Sequence, residues 1–164
     1  MNKTNMNLKL VAMTAAAFFV QGGLTLLPLP AAAASDSVPL VRCCGDDMTV
    51  YRDFGEREGI QRLMEDFMRD LLADDRTRPF FEKVDQQRVI LMLTEQFCHA
   101  AGGPCEYRGR SMTDAHAGMG VKREHFNALV EVLQKSMTRA GIPFRSQNRM
   151  LAVFAPMYRD IEQR

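Results

Sequence analysis

The fold is decided by the stretch from Asp114 to Phe126, which reads Asp-Ala-His-Ala-Gly-Met-Gly-Val-Lys-Arg-Glu-His-Phe. His116 precedes a turn that contains two glycines, and the pattern after the turn predicts a long amphipathic helix. A histidine at the end of a short segment can be aimed into an apolar pocket. A single histidine is more often a structural residue, so the rest of the chain has to decide between the two interpretations.

Two upstream stretches give His116 its context. They contain Asp66-Phe67, Leu71-Leu72-Ala73-Asp74-Asp75, Phe80-Phe81, Ala101-Gly102-Gly103-Pro104 and Tyr107-Arg108-Gly109. In this order and spacing, and together with His116, they resemble the first group of the truncated haemoglobins from about Tyr51 to the C-terminus. The resemblance implies a protein that holds haem b, with His116 as the proximal ligand of the iron.

Composition limits the alternatives to this resemblance. The chain has 164 residues, 21 basic and 20 acidic side chains, and a net charge of +1. No basic stripe stands out from this mixed-sign surface, so the sequence gives no case for binding nucleic acid. The 12 methionines and the absence of tryptophan indicate an adaptable apolar core.

The first 34 residues have the pattern of a secretory signal rather than of a folded domain. Lys3 and Lys9 precede an apolar run from Leu10, and small residues follow up to Ala34. We expect cleavage after Ala34, a short extension over residues 35–48 and a globin domain over residues 49–164. An uncleaved membrane anchor is the alternative, although glycines and prolines interrupt the apolar run. The mature protein is then periplasmic or secreted, with membrane contact only through the signal segment if it stays uncleaved.

Export would permit disulfides, and four cysteines allow three pairings. Cys43 and Cys44 precede the first predicted helix, whereas Cys98 and Cys105 flank the turn at the two glycines. We expect a bridge between these two regions rather than a strained bond between the adjacent cysteines. A zinc site is weakly supported, because no pair of Cys-x-x-Cys motifs exists. Cys98-His99 also lacks the upstream cysteine of a Cys-x-x-Cys-His attachment, so haem is expected to be held without thioether bonds.

The pattern after Thr49 is helical, and no stretch alternates with period two. We predict an all-α domain, and the resemblance implies the two-over-two helical sandwich of truncated globins. The predicted helices run from about Ile60 to Ala73, from Asp85 to His99, from Met112 to His116, from Val121 to Met137, and from an N-cap at Ser146 to Ile161.

The resemblance also assigns residues to the haem site. Phe81 would pack on the haem face, and Tyr107 would hydrogen-bond a propionate, with Arg108 or Arg110 adding charge. The proximal side would be lined by Met112, Val121 and Phe126. The distal side would be lined by Met68, Val89, Leu93 and Phe97. His99 and His125 are predicted to be surface and structural residues.

The distal side departs from the pattern of the family. Group I members commonly place a tyrosine and a glutamine there, and both donate hydrogen bonds to the oxygen ligand. Met68 and Leu93 occupy those positions in this chain, so the distal side is expected to be apolar throughout. The function predicted is reversible binding of diatomic gases (oxygen, nitric oxide and carbon monoxide), with weakened retention of oxygen. Nitric oxide detoxification or other haem redox activity stays open.

Met92 supports an alternative function. A thioether is a known axial ligand of haem iron, and Met92 lies where some family members supply a second internal ligand. A His116 and Met92 pair would favour electron transfer with a redox partner. The simpler interpretation of Met92 is apolar filling, since methionine is common in cores. A helical binding module without haem is a third hypothesis.

Overall fold

The computed structural model describes residues 42–43 and 47–162, which belong to the unit Ser35–Arg164. The predicted signal sequence and most of the predicted extension, including Cys44, lie outside the described residues. The described part of the chain contains helices and no strand. In order, the elements are α1 (Thr49–Asp53), α2 (Glu56–Ala73), α3 (Arg78–Phe81), α4 (Gln86–Ala100), α5 (Met112–His116), α6 (Arg123–Arg139), α7 (Phe144–Phe154), a 3-10 turn (Ala155–Met157) and α8 (Tyr158–Ile161).

Helix α2 is the centre of this arrangement, because it packs against α1, α3, α4 and α6. Its apolar residues recur at spacings of three and four, so they share one face of the helix. The buried residues on that face are Ile60, Leu63, Met64, Phe67, Met68 and Leu71. Burying each large side chain contributes roughly 1.5 to 3 kcal/mol, so this face contributes substantially to the stability of the core.

Polar groups join α2 to α6 at the edge of the core. The Ser136 hydroxyl donates a hydrogen bond of 2.6 Å to the Asp70 carboxylate, and the Arg139 guanidinium donates to the same oxygen. Although partial burial of the carboxyl opposes its ionisation, these two donors lower the pKa of Asp70 below its ordinary value. This cluster of Asp70, Ser136 and Arg139, the Asp70 clamp, therefore favours a charged carboxylate between the two long helices.

The C-terminal helix begins earlier than its sequence suggested. Helix α7 starts at Phe144, and the Pro143 carbonyl accepts from the amides of Ser146 and Gln147 at 2.9 and 3.1 Å. The predicted N-cap at Ser146 is therefore wrong, because Ser146 lies inside the helix. Its hydroxyl instead donates to the carboxylate of Asp53 and joins α7 to α1.

The same region is also less regular than predicted. A single helix was expected to continue to Ile161, but a 3-10 turn containing Pro156 separates α7 from α8. Proline lacks an amide donor and clashes with the preceding turn, so the α-helix cannot pass through this position unchanged.

No helix within residues 42–43 and 47–162 combines the length and apolar character needed to cross a membrane.

Candidate functional site

His116 ends the short helix α5, and its ring is oriented by that helix. The Nδ1 atom lies 2.8 Å from the carbonyl oxygen of Met112, four residues earlier. A carbonyl can only accept, so the hydrogen bond places the imidazole proton on Nδ1 and the lone pair on Nε2. An imidazole held in this way has its orientation fixed and is prepared to ligate a metal through Nε2.

Local sequence explains why α5 forms where it does. The Ser111 hydroxyl accepts from the Asp114 amide at 3.1 Å and donates to the Asp114 carboxylate at 2.7 Å, which caps the first turn. After His116 the chain turns through Gly118 and Gly120, both with positive φ. Glycine adopts this conformation without strain, so the short helix ends before α6 begins.

Helix α5 is supported by α8, against which it packs. In α8, the Tyr158 ring lies 5.2 Å from the ring of Phe126, and the Arg123 guanidinium sits 4.9 Å above it. The start of α6 and the end of the chain thus form a small aromatic cluster beside the segment that carries His116.

The residues assigned to the distal side come from α2 and α4. Met68 and Phe97 are buried at 3% and 4% exposure, and the Phe97 ring packs 4.5 Å from Phe154. Val89, Met92 and Leu93 are only half-buried, and Val89 and Leu93 pack against the core.

The residues assigned to the haem face and to the proximal side also differ in how deeply they are buried. Phe81 in α3, Met112 in α5 and Phe126 in α6 are half-buried, whereas Val121 is 7% exposed. Phe81 also packs against the core cluster.

The chemistry of these residues suits a flat, largely apolar, iron-containing group. They supply one oriented imidazole and a set of apolar side chains, which is the donor chemistry that haem requires. Six of the assigned apolar residues are half-buried, so part of their apolar surface stays accessible; they are Phe81, Val89, Met92, Leu93, Met112 and Phe126.

Tyr107 is engaged within its own loop. Its hydroxyl donates to the Arg110 carbonyl at 2.9 Å, and its ring lies so close to Gly109 that a Cβ there would stand 2.2 Å from the ring. Partial burial raises the pKa of Tyr107. Arg108 pairs with Glu106 at 2.7 Å. A tyrosine hydroxyl has one proton, so donation to a propionate would replace the bond to Arg110.

The predicted disulfide between the extension and the body is wrong. The bond joins Cys98 to Cys105, seven residues apart, and so closes the turn at the end of α4. Cys98 is fully buried, and a Cβ on Gly103 would lie 2.5 Å from the Tyr51 ring and 2.8 Å from the Cys98 sulfur. The glycine turn brings the two cysteines together. The amide of Cys43 donates to the Ala100 carbonyl at 3.0 Å.

The other two histidines have structural contacts. The Nδ1 atom of His99 lies 3.1 Å from the Cys105 carbonyl oxygen. His125 accepts from the Lys122 amide at 3.1 Å and packs 4.8 Å from the Phe80 ring. Within the described residues, no group of three or more histidine, cysteine or acidic side chains could hold a metal ion, and the zinc alternative gains no support.

Gln96 is a polar residue near the site that had no assigned role. It is 5% exposed on α4, and its Nε2 atom lies 3.7 Å from the Met112 sulfur and 3.8 Å from the Met157 sulfur. Gln96 follows Leu93 by three residues, so helical spacing alone puts both on one side of α4. Only the tertiary arrangement shows that its amide reaches α5.

Comparison with known proteins identifies the family. The model of the family described as bacterial-like globin matches residues 49–163. The chain belongs to this globin family. A group 1 truncated haemoglobin from Mycolicibacterium paratuberculosis is 30% identical over 113 residues, which are 69% of this chain and 83% of that protein. A group 1 truncated haemoglobin from Tetrahymena pyriformis is 31% identical over 94 residues, which are 57% of this chain and 78% of that protein.

Solved structures agree with the globin assignment. The crystal structure of the truncated haemoglobin from Tetrahymena pyriformis in its Fe(III) form matches with a TM-score of 0.67 and 27% identity. The match covers 70% of this chain and 98% of that one. The 2/2 haemoglobin from a Synechococcus species matches at a TM-score of 0.65 and 23% identity over the same shares, which bears on the fold alone.

These matches confirm the two main predictions from the sequence. The chain is a group I truncated globin with the two-over-two helical fold. As a member of this family it is a haem b protein that binds diatomic gases.

Proposed function

We propose that this globin is exported and binds diatomic gases reversibly through haem b ligated by His116, with an apolar distal side that retains oxygen weakly. Bound haem supplies an iron atom able to coordinate a gas molecule. The observation that carries the proposal is the 2.8 Å contact between His116 Nδ1 and the Met112 carbonyl, because it leaves Nε2 as the ligating atom.

The chain's own residues determine which gas is favoured. Met68 and Leu93 cannot donate hydrogen bonds, and a donor to a partly charged oxygen ligand is worth roughly 1.5 to 3 kcal/mol. Losing it corresponds to oxygen retention weakened by roughly tenfold to over a hundredfold, at 1.4 kcal/mol per decade. Carbon monoxide and nitric oxide depend less on such donors, so they gain relative to oxygen. Sensing or detoxification of nitric oxide or carbon monoxide is therefore a better fit than oxygen storage.

Export to the periplasm or the medium is part of the proposal. The signal pattern in residues 1–34 supports it. The Cys98–Cys105 disulfide is a second support, because such bonds persist in oxidising compartments. A sulfur in a disulfide cannot form a thioether, so Cys98 and Cys105 would not attach the haem covalently.

An absorption spectrum of the purified protein, ferric and ferrous, with and without carbon monoxide, tests the proposal. We expect equimolar haem, a five-coordinate ferrous form and complete conversion on adding carbon monoxide. A ferrous form with two internal ligands and a ferric near-infrared band from sulfur would instead identify Met92 as a ligand. In that case Met92→Ala should speed gas binding, and electron transfer would replace gas binding as the function. Purification without haem would contradict the proposal entirely.

A further inference from the structure

Gln96 is a buried donor whose two nearest partners are thioethers. Its Nε2 atom lies 3.7 Å from the Met112 sulfur and 3.8 Å from the Met157 sulfur, at 5% exposure. Thioether sulfur is a weak acceptor, and burying an amide with weak partners costs free energy relative to an apolar side chain. Stability alone therefore does not account for a glutamine at this position.

The contact with Met112 connects the Gln96 amide to His116. Met112 is the first residue of α5, and its carbonyl oxygen is the one that accepts from His116 Nδ1 at 2.8 Å. Gln96 therefore holds the side chain of the residue whose backbone orients the histidine. Gln96 contacts Met112, and Met112 accepts the hydrogen bond from His116, so one residue connects α4 to the imidazole.

We propose that Gln96 is a positioning residue for the proximal imidazole. By holding Met112, it sets the strength of the hydrogen bond at His116 Nδ1, and so how strongly Nε2 would donate to iron. This inference rests on the proposed ligation by His116. Its physical basis is that groups hydrogen-bonded to the second nitrogen of a ligating histidine fix the orientation of the ring and raise its basicity.

The direction of the amide separates this role from a distal one. Gln96 follows Leu93 by three residues and shares its side of α4, so it could in principle donate to a gas ligand. Its nitrogen, however, points to sulfur atoms of α5 and of the 3-10 turn. A distal donor and a proximal positioning residue make different spectroscopic predictions.

Resonance Raman spectra of the ferrous, haem-loaded protein provide the test. Gln96→Leu should lower the frequency of the iron–histidine stretch, because a displaced Met112 carbonyl weakens the Nδ1 hydrogen bond. Met112→Leu should lower it in the same way, and the double variant should add little, as expected for two residues acting through one contact. Met157→Leu is the matched control, because it removes the other sulfur that Gln96 contacts without changing a residue of α5, and it should leave the band in place.

Haem loss to an excess of apomyoglobin gives a second readout. Changes to groups that orient metal ligands typically cost 10- to 100-fold in affinity, so a residue one contact further away should speed haem loss by roughly tenfold at most. If Gln96→Leu fails to fold, the comparison of Met112→Leu with Met157→Leu decides the matter alone.

The outcomes are distinguishable. An unmoved iron–histidine band with a shifted C–O stretch in the carbon monoxide complex would make Gln96 a distal donor and overturn the inference. No shift of either band in Gln96→Leu would also overturn it. Absence of any iron–histidine band in the parent protein would overturn the proposed ligation by His116, and this inference with it.

Discussion

His116 Nδ1 and the carbonyl oxygen of Met112 lie 2.8 Å apart, so a helix of five residues orients its own terminal imidazole. The helix needs no partner from another element for this hydrogen bond. The ring can therefore have its tautomer set before any cofactor arrives, which makes His116 the residue on which a loss of haem binding should depend.

We expect His116→Ala to abolish stable haem binding, because no other described histidine combines this hydrogen bond with a place at the end of α5. Haem content per chain and the ferrous spectrum measure the effect. His125→Ala is the matched control: it removes a helix-capping contact, at a cost of about 1 kcal/mol in stability, and should keep haem. A normal histidine-ligated spectrum in His116→Ala would show that the ligand is misassigned.

The apolar distal residues predict fast oxygen release. The double variant Met68→Tyr with Leu93→Gln should slow oxygen release by roughly tenfold or more, the effect of a charge-assisted hydrogen bond. Carbon monoxide release should change far less. Leu91→Gln controls for a new glutamine on α4, because Leu91 is 48% exposed. Stopped-flow release rates equal to those of the parent would mean that the distal residues are wrongly aligned.

Breaking the Cys98–Cys105 bond should destabilise the protein. Cross-linking residues seven apart stabilises the folded state by roughly 2 kcal/mol in the chain-entropy model, so Cys98→Ala with Cys105→Ala, which buries no new polar group, should lower the free energy of unfolding by about that amount. Urea titration measures it. Peptide mapping without reductant should recover Cys98 and Cys105 in one linked peptide. Recovery of either cysteine linked to the extension would refute the observed pairing.

The N-terminal pattern predicts processing during export. The mature protein should begin near Ser35 and carry at least one disulfide. Intact mass of the secreted form checks both expectations, the first by loss of about 34 residues and the second by missing thiol protons. A full-length chain with four free thiols would contradict each.

The clamp at Asp70 predicts a pH dependence of stability. Its folded pKa is below the ordinary value, so the contribution is fully present above the unfolded pKa of about 3.9 and is lost as pH falls through the lower folded value. Asp70→Asn should cost roughly 1 to 3 kcal/mol near neutral pH, and the difference from the parent should shrink below about pH 4. Arg52→Gln, on the exposed side of α1, serves as a surface control. A difference that stays constant down to pH 2 would exclude the carboxylate as its source.

Local sequence patterns predict the helices well. They predict contacts between distant segments poorly. The spacing of apolar residues located α2, α4 and α6 to within a few residues, and the glycines after His116 marked the end of α5. Ser146 was misjudged because serine suits both an N-cap and a buried hydroxyl, and only the approach of Asp53 selects the second role.

The sequence did not predict the disulfide pairing or the contact of Gln96 with Met112, and the reason is related. In the turn between Cys98 and Cys105, Gly103 packs tightly against the Tyr51 ring and the Cys98 sulfur, and the spacing of the cysteines does not encode that packing. Gln96 was visible only as one more residue on the apolar side of α4, since its partner Met112 is 16 residues away along the chain. The candidate ligand itself could be named because its motif is contiguous.

The brevity of α5 has a kinetic consequence for cofactor exchange. Five residues cannot sustain a helix in water without tertiary support, so the segment around His116 should open at a lower free energy than the α2 core. Release of the cofactor would then require the fraying of one short segment rather than unfolding of the domain. Amides of residues 112–120 should therefore exchange with solvent hydrogen well before those of residues 60–71. The lifetime of the haem-loaded protein should follow the opening rate of residues 112–120 and not the slower opening of the α2 core.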